Sequence, residues 1–120
     1  MDVTKESIQK DIVRKMKKVG TYNPSFEMTI EAFAKLIFDY KNTLKIFEKT
    51  GGNVVISHTN KSGATNIVKN PLYLAIEKMR TDLILYAREL GLTPAGLKKL
   101  NQELQEEKAS PLDEILSKLT

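Results

Sequence analysis

Residues able to do chemistry are few in this chain, and their spacing argues against catalysis. The one histidine, His58, stands in a polar stretch, with no second histidine and no cysteine in the sequence to share a metal. It reads as a solvent-exposed side chain. Lys61-Ser62 resembles the end of a phosphate-binding loop, but that loop needs Gly directly before the Lys and another five residues earlier. Those positions hold Asn60 and Val55. The carboxylates Glu27 and Glu31, and Glu103, Glu106 and Glu107, fall on polar sides of helical stretches, where solvation accounts for them. No set of nucleophile, base and oxyanion donor can be assembled. The expectation is a chain that is no enzyme and uses no metal or cofactor.

The remaining chemistry is cationic. The formal charge is +4 and the isoelectric point about 9.2. Residues 1–20 carry six basic and three acidic side chains, and residues 51–70 two basic and none acidic. The excess therefore sits in the first helical stretch and in one loop. In the first stretch, Lys10, Arg14, Lys17 and Lys18 lie away from an apolar stripe and could face a phosphate backbone without sequence preference.

A second candidate spans Leu83 to Leu100. A helix-turn-helix needs a small residue where its helices touch, a residue tolerant of positive φ at the turn, and apolar residues locking the second helix. Ala87, Gly91, Leu97 and Leu100 supply these in order, and Tyr86, Leu90 and Leu92 fill core positions. The second helix would present Ala95, Lys98, Lys99 and Gln102 to a major groove, with Arg88 and Thr93 near a phosphate. The competing reading is a tight helical hairpin whose lysines are merely solvated.

These side chains must be positioned by helices. Thr4 caps a first helix with Ile8, Ile12, Met16 and Val19 on one side and Gly20 as its stop. Asn23-Pro24 opens a second that runs to about Lys49, ended by Gly51-Gly52. Its stripe is Phe26, Ile30, Phe33, Ile37, Tyr40, Leu44 and Phe47, while Leu36, Phe38 and Ile46 fall outside it. A helix apolar on more than one side is buried on more than one side, by its own bundle or by another subunit. Asn70-Pro71 opens a third helix with Leu72, Ile76, Met79, Leu83, Tyr86, Ala87 and Leu90 inward. Thr93-Pro94 starts a fourth, with Leu97, Leu100 and Leu104 inward. Ser110-Pro111-Leu112-Asp113 begins a short amphipathic end helix with Leu112, Ile115, Leu116 and Leu119. Between the second and third helices, 53–68 is rich in β-branched residues around a Thr59–Gly63 turn, and reads as a short β-hairpin or as a loop. The expected fold is all-α: a bundle of four to five helices over 1–108 with a helix-turn-helix-like hairpin toward its C-terminal half, followed by the end helix at 109–120.

One ordered set of these features resembles the small terminase subunits of tailed phages, in the branch common among cohesive-end phages and prophages. It comprises the Gly20-Thr21-Tyr22 turn, the long apolar helix closed by Gly51-Gly52, and a polar loop. Lys69-Asn70-Pro71 then opens a helix that ends Glu89-Leu90-Gly91-Leu92-Thr93-Pro94. The similarity covers roughly residues 18 to 104. After Thr93-Pro94 the family often carries an arginine run, where Ala95-Gly96-Leu97-Lys98-Lys99 stands here. The resemblance implies an oligomeric, ring-forming adaptor that recognises viral double-stranded DNA and passes it to a large terminase subunit holding the ATPase and nuclease. The end-helix residues Leu112, Ile115, Leu116 and Leu119 would be the dock for that subunit. The same pattern also fits a dimeric helix-turn-helix transcriptional regulator, or an interaction protein that binds only protein. No apolar run approaches the roughly 18 residues of a membrane span. The polar N-terminus is no secretory signal, so the cytoplasm of a bacterial host is the expected location.

Overall fold

A computed structural model of the chain describes residues 3–103 and 115–116. It is mostly helical, with three helices and a small two-stranded antiparallel sheet. Helix α1 spans Lys5–Val19 and is closed at its start by a capping box. The Ser7 amide donates to the Thr4 hydroxyl at 3.1 Å, and the Thr4 amide donates back to the Ser7 hydroxyl at 3.1 Å. One 3-10 turn, Pro24–Phe26, capped by Asn23, leads into α2, Glu27–Lys49. Strands β1, Val55–Thr59, and β2, Thr65–Lys69, form the sheet, and α3 follows at Pro71–Glu89. Residues 94–103 are also helical.

Helix α2 is the spine, with α1 and α3 each packed on it. Part of its second apolar side is thereby covered within the chain, while Ile46 stays 51% exposed. Ile30 and Ala34 join Ile8, Ile12 and Met16 of α1, with Phe38 packed alongside. Phe33 stacks on Tyr86 of α3 at 5.9 Å between ring centroids, and Phe47 meets Tyr73 at 5.8 Å. The Arg80 Nε–H donates to the Tyr40 hydroxyl at 3.0 Å between them. Contacts of 33 with 86, 40 with 80 and 47 with 73 run α3 antiparallel to α2.

The expected bundle of four to five helices is not confirmed. Three helices are complete among the described residues, and 53–68 takes the strand alternative rather than the loop. Its β-branched runs pair in continuous register, Val55 with Lys69 through Thr59 with Thr65. Val19 does not extend the α1 stripe inward and is 42% exposed, because the chain turns at Gly20 just beyond it. Leu104 and the boundary expected at 108/109 lie outside the described residues.

Candidate nucleic-acid interface

The region that holds the candidate recognition residues is built around Gly91. Here α3 stops because Gly91 adopts φ +70°, a left-handed conformation that a side chain resists. The Leu92 amide then donates to the Ala87 carbonyl at 2.8 Å and the Gly91 amide to the Arg88 carbonyl at 3.1 Å. This pair of bonds satisfies the carbonyls left open at the helix end. A Cβ on Gly91 would fall 2.7 Å from Leu100 Cδ1 and 2.9 Å from Thr21 Cγ2, so glycine is required for space as well as for φ.

Thr21 ties this turn to the first helix. Its buried hydroxyl donates to the Leu90 carbonyl at 3.2 Å, with the Met16 carbonyl at 3.4 Å. The end of α1 and the end of α3 are thereby held together over fully buried Met16, Ile30 and Leu90.

Helix 94–103 starts at Thr93, whose hydroxyl oxygen accepts the Gly96 amide at 3.0 Å, while its carbonyl accepts the Leu97 amide at 2.8 Å. Thr93 is therefore the cap of this helix. Ala87 is the small residue the sequence offers for the helix contact, and Gly96 adds a close approach that its sequence position shows only as a cost to helix stability. A Cβ there would lie 2.2 Å from the Arg88 carbonyl oxygen and 2.8 Å from Arg88 Cα. The second helix thus rests backbone to backbone on α3 at Gly96. The signal was a glycine in a first turn, where it lowers helix propensity and calls for a packing reason.

With Gly96, Leu97 and Leu100 turned inward, helical pitch gathers Ala95, Lys98, Lys99 and Gln102 on the opposite side. Lys98, Lys99, Gln102 and Arg88 are all exposed. Of the first-helix candidates, Lys17 and Lys18 stand in the last turn of α1, beside Gly20 and Thr21 and so at this same end of the molecule. Lys10 lies ten residues before Gly20, about 15 Å along the helix. Lys17 Nζ sits 5.0 Å above the Tyr22 ring, and the Tyr22 hydroxyl donates to Glu27 Oε1 at 2.5 Å. That carboxylate raises the Tyr22 pKa above its ordinary value. Arg14 is ion-paired with Asp11, which Lys15 Nζ also approaches at 3.0 Å. The Lys15 and Arg14 hydrogen bonds hold the Asp11 carboxyl below its usual range. Arg14 is thus already engaged by a carboxylate, whereas Lys18 shows no ion pair within 4.0 Å among the described residues.

His58 is exposed in β1, facing Asn66 across the ribbon. No group of three or more His, Cys, Asp or Glu able to hold a metal occurs among the described residues. No described helix is long and apolar enough to cross a membrane. Of the expected partner-docking residues, Ile115 and Leu116 are helical and exposed, at 58% and 52%, while Leu112 and Leu119 lie outside the described residues. Neither the curated proteins nor the solved structures yield a match. A family model described as phage terminase, small subunit, matches residues 7–107, which takes in most of α1, all of α2 and α3, the ribbon and the Gly91 turn. The chain belongs to the phage terminase small subunit family.

Proposed function

We propose that this chain is the non-enzymatic DNA-recognition component of the packaging motor, assembling with copies of itself and delivering viral double-stranded DNA to the large terminase subunit. Family membership gives the role in phage DNA packaging. The observation that carries the DNA-binding reading is the Gly91–Gly96 corner. It holds helix 94–103 rigidly on α3 and leaves Lys98, Lys99 and Gln102 on one exposed face beside exposed Arg88. The lysines and Arg88 supply phosphate contacts, and the Gln102 amide can pair with adenine in a major groove. Lys17 and Lys18 extend the cationic surface from the adjoining end of α1. Lys10 and Arg14 contribute less, Lys10 by distance and Arg14 by its pairing with Asp11. Ile115 and Leu116, with Leu112 and Leu119, are the proposed dock for the large subunit by helix-in-groove contact.

Duplex DNA binding measured against salt tests the reading. Affinity falls steeply as salt rises, because each phosphate contact releases counterions. Changing Lys98 and Lys99 together to Glu abolishes measurable binding with helical content unchanged, and Lys98→Ala or Lys99→Ala each reduces the salt slope by about one. Undiminished binding by the double variant rejects helix 94–103 as the DNA contact. Deleting residues 109–120 uncouples the large subunit while leaving DNA binding intact. Normal stimulation of its ATPase by the shortened chain rejects the docking role.

A further inference from the structure

The β1–β2 ribbon has no part in the DNA contact proposed above, and among the described residues its outer edges find no hydrogen-bond partners. In an antiparallel ladder, hydrogen-bonded and non-hydrogen-bonded residue pairs alternate. The Asn70 amide donates to the Val54 carbonyl at 2.7 Å, and the Asn60 amide donates to the Ala64 carbonyl at 3.0 Å. With the observed register, those bonds make 56/68 and 58/66 the bonded pairs and leave 55/69, 57/67 and 59/65 non-bonded. The 3.0 Å approach of the Thr59 and Thr65 hydroxyls fits the closer side-chain spacing of a non-bonded pair. The backbone N–H and C=O groups of Val55, Ser57 and Thr59 therefore point outward from β1, and those of Thr65, Ile67 and Lys69 outward from β2.

Such edges are templates for further strands, and proteins ordinarily blunt them with proline, bulges or charge. This ribbon has no proline and no break in register. It carries no carboxylate between Glu48 and Glu77. Its Lys69 is held by Glu77 at 2.5 Å, which leaves Lys61, in the turn, as the other cation. Val55 and Ile67 share one face and are 54% and 77% exposed. Two strands alone are marginal in water.

We infer that the hairpin is an assembly element: β2 of one copy adds antiparallel to β1 of the next. The occupant is a second copy because the two edges complement one another. Each offers three outward N–H and C=O sets at alternate positions over five residues, beside a β-branched side chain that gains cover when the strands meet. Different edges meet at each junction, so the contact is head-to-tail and propagates around a closed assembly. A DNA groove is the poorer occupant, since one unpaired cation supplies little phosphate attraction. The inference rests on the self-assembly proposed above and names the surface that performs it.

The chain lacks cysteine, so introduced thiols report without background. Copies bearing Ser57→Cys are assembled with copies bearing Thr65→Cys, Ile67→Cys or Lys69→Cys and mildly oxidised. The expected result is a disulfide-linked pair of unlike copies for at least one combination, without 57–57 pairing. Cross-linking between like edges, or none within an intact oligomer, overturns the inference. In parallel, Ile67→Pro removes one outward N–H, and Ile67→Thr retains it. Native mass spectrometry should show Ile67→Pro reduced to monomer and Ile67→Thr assembled, both with parental helical circular dichroism. A full-size Ile67→Pro oligomer refutes the hairpin junction alone, as does a variant of unchanged mass with weakened DNA binding. A wild-type chain that is monomeric at every concentration refutes the assembly reading itself. Should Ile67→Pro lose its helices, the cross-links decide.

Discussion

The two ends of the α2 spine are built on opposite principles. At the α1 end, Met16, Ile30 and Leu90 are fully buried, Thr21 joins two helix termini, and two glycines permit close approach. At the ribbon end the joining contacts are Phe47 on Tyr73, Arg80 on Tyr40 and Lys69 on Glu77, and the strand edges find no partner among the described residues. One end completes its packing within the chain. At the other, no described residue pairs with the outer edges of the two strands, the surface proposed above for a neighbouring copy.

This contrast is breakable. The largest effect is expected from Ile30→Ala, which should lower unfolding stability by about 3–4 kcal/mol, the usual range for emptying a fully buried site. Leu44→Ala, half-buried on the ribbon side of α2, should cost less than half as much. Equal losses in urea titration would abolish the distinction between the ends. Gly96→Ala comes next, at about 2 kcal/mol, because the new methyl meets Arg88 backbone that cannot yield as a flexible side chain would. DNA affinity should fall with it as helix 94–103 is pushed off its seat. A stable Gly96→Ala chain with full DNA affinity would show that the corner does not position the recognition face.

Thr21→Val should cost about 1 kcal/mol, since the Leu90 carbonyl loses its donor while the shape is kept. Thermal unfolding indistinguishable from wild type would remove that bond from the account of how α1 and α3 are joined. The smallest effect concerns the exposed Asp11. Its carboxyl, depressed by Lys15 and Arg14, should titrate below the ordinary aspartate range in a carboxylate NMR experiment. A depressed native pKa means that its contribution is present at neutral pH and lost only as pH falls through that lowered midpoint. Solvent screening keeps that contribution small for a surface pair, so Asp11→Asn should lower stability at pH 7 only slightly. A clear loss there would assign this pair a structural weight that its exposure denies it.

Much of the architecture is legible in local chemistry. Thr4, Asn23, Asn70 and Thr93 are small polar residues whose side chains cap the elements that follow. Gly20 and Gly91 end helices in left-handed conformations, and both events depend on neighbours within a few residues. The stripes of α2 and α3 follow from helical periodicity for the same reason. The candidate recognition face was equally readable, because Lys98, Lys99 and Gln102 fall together by pitch once Leu97 and Leu100 face inward. Val19 was misread because periodicity extends a stripe to the last residue of a helix, while burial there depends on where the chain turns.

The sequence by itself determined the caps and stops of the helices, the cationic character of two segments, and the family. Each follows from residue type and near-neighbour spacing. Only the tertiary structure decided that α1 and α3 both pack on α2 and that Gly96 lies against the α3 backbone. It likewise chose strand over loop for 55–69 and fixed which backbone groups face outward there. Those outcomes turn on distances between residues far apart in sequence: Thr21 to Leu90, Phe33 to Tyr86, Val54 to Asn70. Local propensity carries no information about such distances, because the energy that selects them arises only when the elements pack.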